Sequence, residues 1–171
     1  ESFAVLDVAG LNYAEVRYTL DAERFPHRVV VGTETFPSRI AENWSLITRL
    51  DHVIGEFTWT GWDYLGEVGI GRVNYEPGTS GAPYPWLTAW CGDVDITGRR
   101  RPISYYRERV FGLSDQPHIT VLHPDRHGKP SAASEWAWSD TVSSWSWDAE
   151  TGAPTTVEVY SVAPAVELLV N

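Results

Sequence analysis

A single cysteine, Cys91, stands in the 171 residues. One thiol excludes an internal disulfide framework and a thiolate zinc cluster, and Cys91 is expected to be small buried filler. Positive charge is scarce: 13 Lys and Arg face 23 Asp and Glu, for a formal net charge of -10, which argues against a nucleic-acid partner. The basic run Arg99, Arg100, Arg101 is too short to alter that and is expected at the solvated start of a helix. Long apolar stretches are missing too: none approaches the roughly 20 residues that span a bilayer, so no membrane partner is expected. There is no internal repeat and no low-complexity tract. His118, His123 and His127 lack clean ligand spacing, so neither a metal nor a cofactor is expected. Want of a disulfide pattern leans towards a cytoplasmic location.

Aromatic residues, by contrast, are plentiful, with 9 Trp and 8 Tyr. Core packing accounts for many such rings. Indoles beside polar turns also suit sugar recognition, where flat C–H faces lie on rings. The chain opens almost at once into a strand-like run and stops at Asn171 straight after another, whereas domains usually begin and end with frayed polar residues. A piece of a longer protein is therefore expected.

The first part alternates strand and helix signals. Residues 4–9 read as a buried strand, 14–24 as a helix ended by Phe25 and Pro26, and 28–33 as a second strand. Residues 38–50 (SRIAENWSLITRL) form a helix with Ile40, Trp44, Ile47 and Leu50 on one face. Residues 52–59 are a third strand. Strands joined by helices of this length imply a parallel sheet. Residues 60–101 are a long loop rich in Gly, Pro and aromatics, of a length that is usually functional inside a compact domain. Pro102 opens a helix that Gly112 stops. Beyond it, residues 118–122, 155–160 and 165–170 read as strands, and the pairs Trp136/Trp138 and Trp145/Trp147 show the two-residue period of a strand. The segment is expected to be an antiparallel β-sandwich lacking later strands.

In parallel α/β folds ligands bind at the carboxyl ends of the strands. The first strand end presents Asn12 and Tyr13, the second Glu34 and the third Trp59, followed by Trp62, Asp63 and Tyr64. Each has an ordinary alternative, such as a cap for Asn12, a strand-end cap for Glu34, packing for Trp59 or a turn cap for Asp63. Together they are the inventory of a glycosidase subsite: a carboxylate, hydrogen-bond partners and a platform for one sugar ring.

These stretches resemble the glycoside hydrolase family 2 β-galactosidases: LDVAGLNY at 6–13, VGTET at 31–35, VIGEFTWTGWDYLGE at 53–67, WCGDVD at 90–95 and RPISYYR at 101–107, with VEVY at 157–160 and VEL at 166–168 as weaker matches. The resemblance implies an α/β fold: a partial (β/α)8 barrel comprising the last three βα units over residues 1–113, followed by the start of an Ig-like antiparallel β-sandwich over 114–171. It implies that Glu34 is the catalytic nucleophile of a retaining, double-displacement cleavage of terminal β-D-galactosides. By the same resemblance, Tyr13 is expected to hydrogen-bond that nucleophile, Asn12 to bind sugar, Trp59 to line the subsite for the cleaved sugar, and Asp63 to support the strand end beside the substrate. The acid/base glutamate of the family belongs to an earlier barrel strand, so this chain alone is expected to be inactive. Its partners are expected to be the β-galactoside, the upstream domains of a longer parent chain that cover its sheet edges, and a second copy in a homo-oligomer. A β-glucuronidase or β-mannosidase of the same family, a non-catalytic carbohydrate-binding module built on residues 114–171, and a structural domain with fully buried indoles stand as alternatives.

Overall fold

In the computed structural model, residues 2–76, 78 and 81–169 are described. They form a small α/β structure with two sheets. The first sheet is parallel, in the order β1 (Val8–Asn12), β2 (Val29–Thr35), β3 (Val53–Thr58). Helix α1 (Val16–Arg24) joins β1 to β2, and α2 (Ile40–Arg49), entered through a 3-10 turn at Pro37–Arg39, joins β2 to β3. After the long loop comes α3 (Pro102–Val110). The second sheet is an antiparallel pair, β4 (His118–Val121) and β5 (Val157–Tyr160).

One face of the parallel sheet carries the core. Ala9 and Leu11 of β1, Val30 of β2 and Val53 of β3 are buried with Tyr18 of α1, and Leu46, Ile47 and Leu50 of α2 pack against them. Trp44, on the same helix, instead stacks on Phe111 with centroids 4.0 Å apart, which ties α2 to the end of α3. Gly32 belongs to the core-facing side because nothing larger fits: a Cβ there would lie 2.4 Å from the Tyr18 hydroxyl and 3.0 Å from Thr35 Cγ2.

Charged groups on this face are paired. Asp21 of α1 is fully buried and accepts hydrogen bonds from Arg17 at 2.8 Å and Arg28 at 2.8 Å. Burial alone would raise its pKa, but the hydrogen bonds and charges of Arg28 and Arg17 outweigh it and hold the carboxyl below the usual range. A depressed folded pKa stabilises above the unfolded pKa, near 3.9, and that contribution is lost as pH falls through the folded value. Asp21→Asn should therefore cost about 3 kcal/mol in urea unfolding at pH 7, by leaving two cations underpaired. The difference from wild type should shrink as the pH is taken below about 4.

Three strand expectations are corrected. Residues 2–5 form a 3-10 turn, and the strand begins only at Val8. No strand runs through residues 136–147: Trp136 lies in a turn, Trp138, Trp145 and Trp147 lie in irregular chain, and an isolated bridge joins Val142 to Val121. Two of the indoles are taken up by tertiary contacts instead: Trp138 donates to the Tyr160 hydroxyl at 3.0 Å, and Trp147 packs edge-on against His123, while Trp145 stays exposed. Residues 165–169 also lie outside any strand, and residue 170 is outside the described part. Cys91 is buried, and burial pushes its thiol up to about 12.

Candidate active site

The carboxyl ends of β1, β2 and β3 are joined rung by rung. Asn12 is the register partner of Glu34, the Tyr13 amide donates to the Glu34 carbonyl at 2.8 Å, and the Trp59 amide donates to the Thr35 carbonyl at 3.0 Å. Sequence position alone would put Glu34 on the wrong face. Simple alternation from Val30 through Gly32 would aim it into the helix-covered core. A β-bulge prevents this. Leu11 pairs with Gly32 but Asn12 with Glu34, and Gly32 pairs with Glu56 but Thr35 with Thr58, so β2 holds one extra residue relative to both neighbours. The core-facing place after Gly32 goes to Thr35, which is buried, and Glu34 is re-aimed to the opposite face. Thr33 marks that face. Its hydroxyl donates to Asn12 Oδ1 at 2.6 Å, and its methyl would meet a Cβ on Gly10 at 2.7 Å.

A second bulge, in β3, works the other way. Val30 pairs with Val53 and Gly32 with Glu56, with Gly55 at φ +151° between them. Glu56 consequently faces the helices. Asn43 of α2 donates to it at 3.1 Å and Arg107 of α3 lies 3.5 Å away. Burial raises its pKa against the lowering effects of Asn43, Arg107 and Thr35. Glu56 is a structural carboxylate on the far side of the sheet from Glu34.

Tyr13 sits at φ 51°, a left-handed conformation that a bulky residue rarely adopts. Strain of this kind, of order 1–3 kcal/mol, clusters where function over-determines a position. Its ring stacks on Phe36 at 4.2 Å, and its hydroxyl accepts a 3.0 Å hydrogen bond from Trp136 Nε1. Burial pushes the phenol up to about 12. The Trp136 hydrogen bond opposes this, whereas hydrogen bonding to Glu34 and the Glu34 charge add to it.

Trp59 follows β3 and donates through Nε1 to the Tyr64 hydroxyl at 3.0 Å, and Tyr64 in turn donates to Glu67. Burial, then the Glu67 hydrogen bond, raises the Tyr64 pKa. Glu67 is thereby occupied as a partner of the loop. Asp63 is only 4% exposed, and its carboxylate accepts the amides of Trp90 at 3.2 Å and Cys91 at 3.3 Å. That geometry makes it an anchor of the 60–101 loop and leaves its oxygens engaged by backbone. Gly92 allows the close approach, since a Cβ there would lie 2.4 Å from the Asp63 nitrogen. Arg101 completes the anchor with hydrogen bonds to the carbonyls of Trp90 at 2.7 Å and Gly92 at 3.1 Å.

Asn12, Tyr13, Glu34 and Trp59 thus share one end of the sheet, and Asp63 is engaged in the loop that follows. Sequence reasoning missed Phe36 and Trp136. Phe36 could have been noticed as the apolar residue just after Glu34. Trp136 carries no local signal, because it arrives from 123 residues beyond Tyr13. Among the described residues, no group of three or more His, Cys, Asp or Glu side chains could hold a metal ion. No helix among them is long and apolar enough to cross a membrane.

A carboxylate, a phenol, an amide and an indole thus stand at adjacent parallel strand ends of an α/β scaffold. No protein-family model matches the sequence, and no curated protein matches it. Among solved structures, the chain is similar to a glycosyl hydrolase family 2 member from Bacteroides cellulosilyticus, with a TM-score of 0.76, 36% identity, and coverage of 92% of this chain and 21% of that one. It is also similar to a glycosyl hydrolase family 2 member from Bacteroides cellulosilyticus DSM 14838, with a TM-score of 0.68, 34% identity, and coverage of 93% of this chain and 18% of that one. The chain spans about a fifth of the length of these structures.

Proposed function

We propose that this chain is part of a retaining glycoside hydrolase that cleaves terminal β-D-galactosides, with Glu34 as nucleophile. The observation that carries this reading is the bulge that turns Glu34 out of the core and beside the Tyr13 hydroxyl. A strand-end cap would need no such re-aiming. The similarity to glycosyl hydrolase family 2 structures supports the reaction class. In this proposal residues 1–113 are the last three βα units of an eight-stranded barrel, and residues 114–171 begin an Ig-like sandwich.

The chemistry follows from the layout. Glu34 attacks the anomeric carbon and forms a glycosyl ester as the leaving oxygen departs with a proton from a second carboxyl group. Water, deprotonated by that second group, then releases the sugar with retained configuration. Retaining enzymes hold the two carboxyl groups about 5–5.5 Å apart. Glu56 lies across the sheet and Glu67 is held by Tyr64, so neither takes the second role, and it falls to a segment outside these 171 residues. Tyr13 donates to Glu34, Asn12 meets sugar hydroxyls, and Trp59 provides a ring face. Asp63 acts on the substrate only through the loop that it anchors.

Glucuronides and mannosides are the alternative substrates, since a related layout serves them. A carbohydrate-binding module on residues 114–171 gains little support, as Trp136 and Trp138 are engaged by Tyr13 and Tyr160. A structural domain with all indoles buried fits poorly with Trp62 at 61% and Trp145 at 53% exposure.

The test is covalent trapping. The parent enzyme, treated with a 2-deoxy-2-fluoro aryl β-galactoside, should gain the mass of one fluorosugar, and peptide mapping should place it on Glu34. A label on any other residue, or turnover of the glucuronide or mannoside analogue in its place, would replace this assignment.

A further inference from the structure

We infer that Trp136 is a positioning residue for the proposed nucleophile: its indole N–H fixes the direction of the Tyr13 hydroxyl, so that the phenolic proton is presented to Glu34. This rests on Glu34 being the nucleophile and adds the group that orients its donor.

Donor inventory decides the direction. An indole nitrogen can only donate, while a phenol has one proton and two lone pairs. With Trp136 Nε1 donating to the Tyr13 hydroxyl at 3.0 Å, the phenol accepts on that side and keeps its proton for another acceptor. The carboxylate beside it is that of Glu34: the Tyr13 amide donates to the Glu34 carbonyl at 2.8 Å, Asn12 is the register partner of Glu34, and the Glu34 charge acts on the phenol. Rotation of the hydroxyl towards Trp136 would set two donors against each other. The proton is therefore held towards the carboxylate in the resting site and needs no search when charge leaves Glu34 during ester formation.

Trp136 is held well enough to do this although it lies in no strand. Its ring packs edge-on against Phe36 at 5.0 Å and Tyr13 at 5.7 Å. Its neighbour Glu135 accepts from Ser38 at 2.8 Å and lies 3.8 Å from Arg39, both in the turn that follows β2. Ser134 donates to the Ile70 carbonyl, and the Trp136 amide donates back to the Ser134 hydroxyl at 3.3 Å. Residues 134–136 are thus clamped to the turn that leaves Glu34 and to the 60–101 loop. The segment after α3 contributes to the centre itself.

Two readouts separate this inference from the glycosidase reading. In the 171-residue chain, Tyr13→Phe should move the Trp136 indole proton resonance further than any of the other 8 of the 9 indole signals. Trp136→Phe, which keeps an aromatic ring beside Phe36, should move the carboxyl carbon resonance of Glu34. Trp138→Phe, which loses a comparable bond to Tyr160, should leave it in place. In the parent enzyme, Trp136→Phe should lower kcat roughly 10-fold with KM within about two-fold, and the loss should fall below about two-fold in a Tyr13→Phe background. Equal losses in both backgrounds, or an unmoved Glu34 resonance, would overturn the inference. If Glu34→Gln proves fully active, the glycosidase reading fails instead, and the indole shift still decides whether Trp136 orients Tyr13.

Discussion

Glu34→Gln in the parent enzyme should lower kcat for an aryl β-galactoside by about four orders of magnitude or more, with KM nearly unchanged. The amide keeps the shape and the hydrogen-bond reach of the carboxylate but cannot form the ester, so the residual rate comes from binding and orientation alone. Glu34→Ala opens room on the same face, and added azide should restore part of the rate by attacking the anomeric carbon. The product then has inverted configuration, which polarimetry or NMR reads directly. Far-UV circular dichroism of both variants should match wild type, because the Glu34 side chain supports no core contact. An unimpaired Glu34→Gln enzyme would reduce Glu34 to a strand-end cap.

Arg107→Met should be among the most destabilising single changes, costing about 3–5 kcal/mol in urea unfolding. The guanidinium donates to Asp93 at 2.6 Å and 3.1 Å, donates to Thr58 at 2.9 Å and lies 3.5 Å from Glu56. The side chains are nearly enclosed, with Arg107 13% and Glu56 4% exposed. Methionine fills the stem's volume and leaves two buried carboxylates without their cation. The pH dependence has the opposite sign to that of Asp21. The Glu56 pKa lies above its ordinary value through burial, so the folded state favours the neutral carboxyl and loses stability as pH rises through the folded pKa. Removal of Arg107 strengthens that preference, and part of the lost stability should return as the medium is acidified. A deficit independent of pH would mean that Glu56 is not the group left stranded.

Strands β2 and β3 were legible because each is a short apolar run closed by turn residues, and α2 because its apolar residues recur at helical spacing. That Asn12, Tyr13, Glu34 and Trp59 stand at the carboxyl ends of neighbouring strands was legible given a parallel sheet, but the face that Glu34 takes was not. Less was visible where one pattern serves two structures. Residues 4–9 have strand-like composition, yet the first part of them makes a 3-10 turn before Val8. The Trp pairs at 136/138 and 145/147 keep a two-residue period without a strand, because the rings of Trp136, Trp138 and Trp147 are placed by partners elsewhere in the chain and Trp145 stands exposed.

The sequence by itself determined β2, β3 and α2, the residues that stand at their ends and the kind of chemistry those side chains allow, since periodicity and strand-end position are local properties. Tertiary structure alone decided which face each group serves. The extra residue in β2 is invisible without the pairing partners that define register, and it turns Glu34 outward while Thr35 takes the core. The compensating bulge at Gly55 sends Glu56 to the helices, and Asp63 is drawn into the loop's backbone. Trp136 reaches Tyr13 only because the chain folds back on itself. Register and long-range contact are relations between distant segments, and no local pattern carries them.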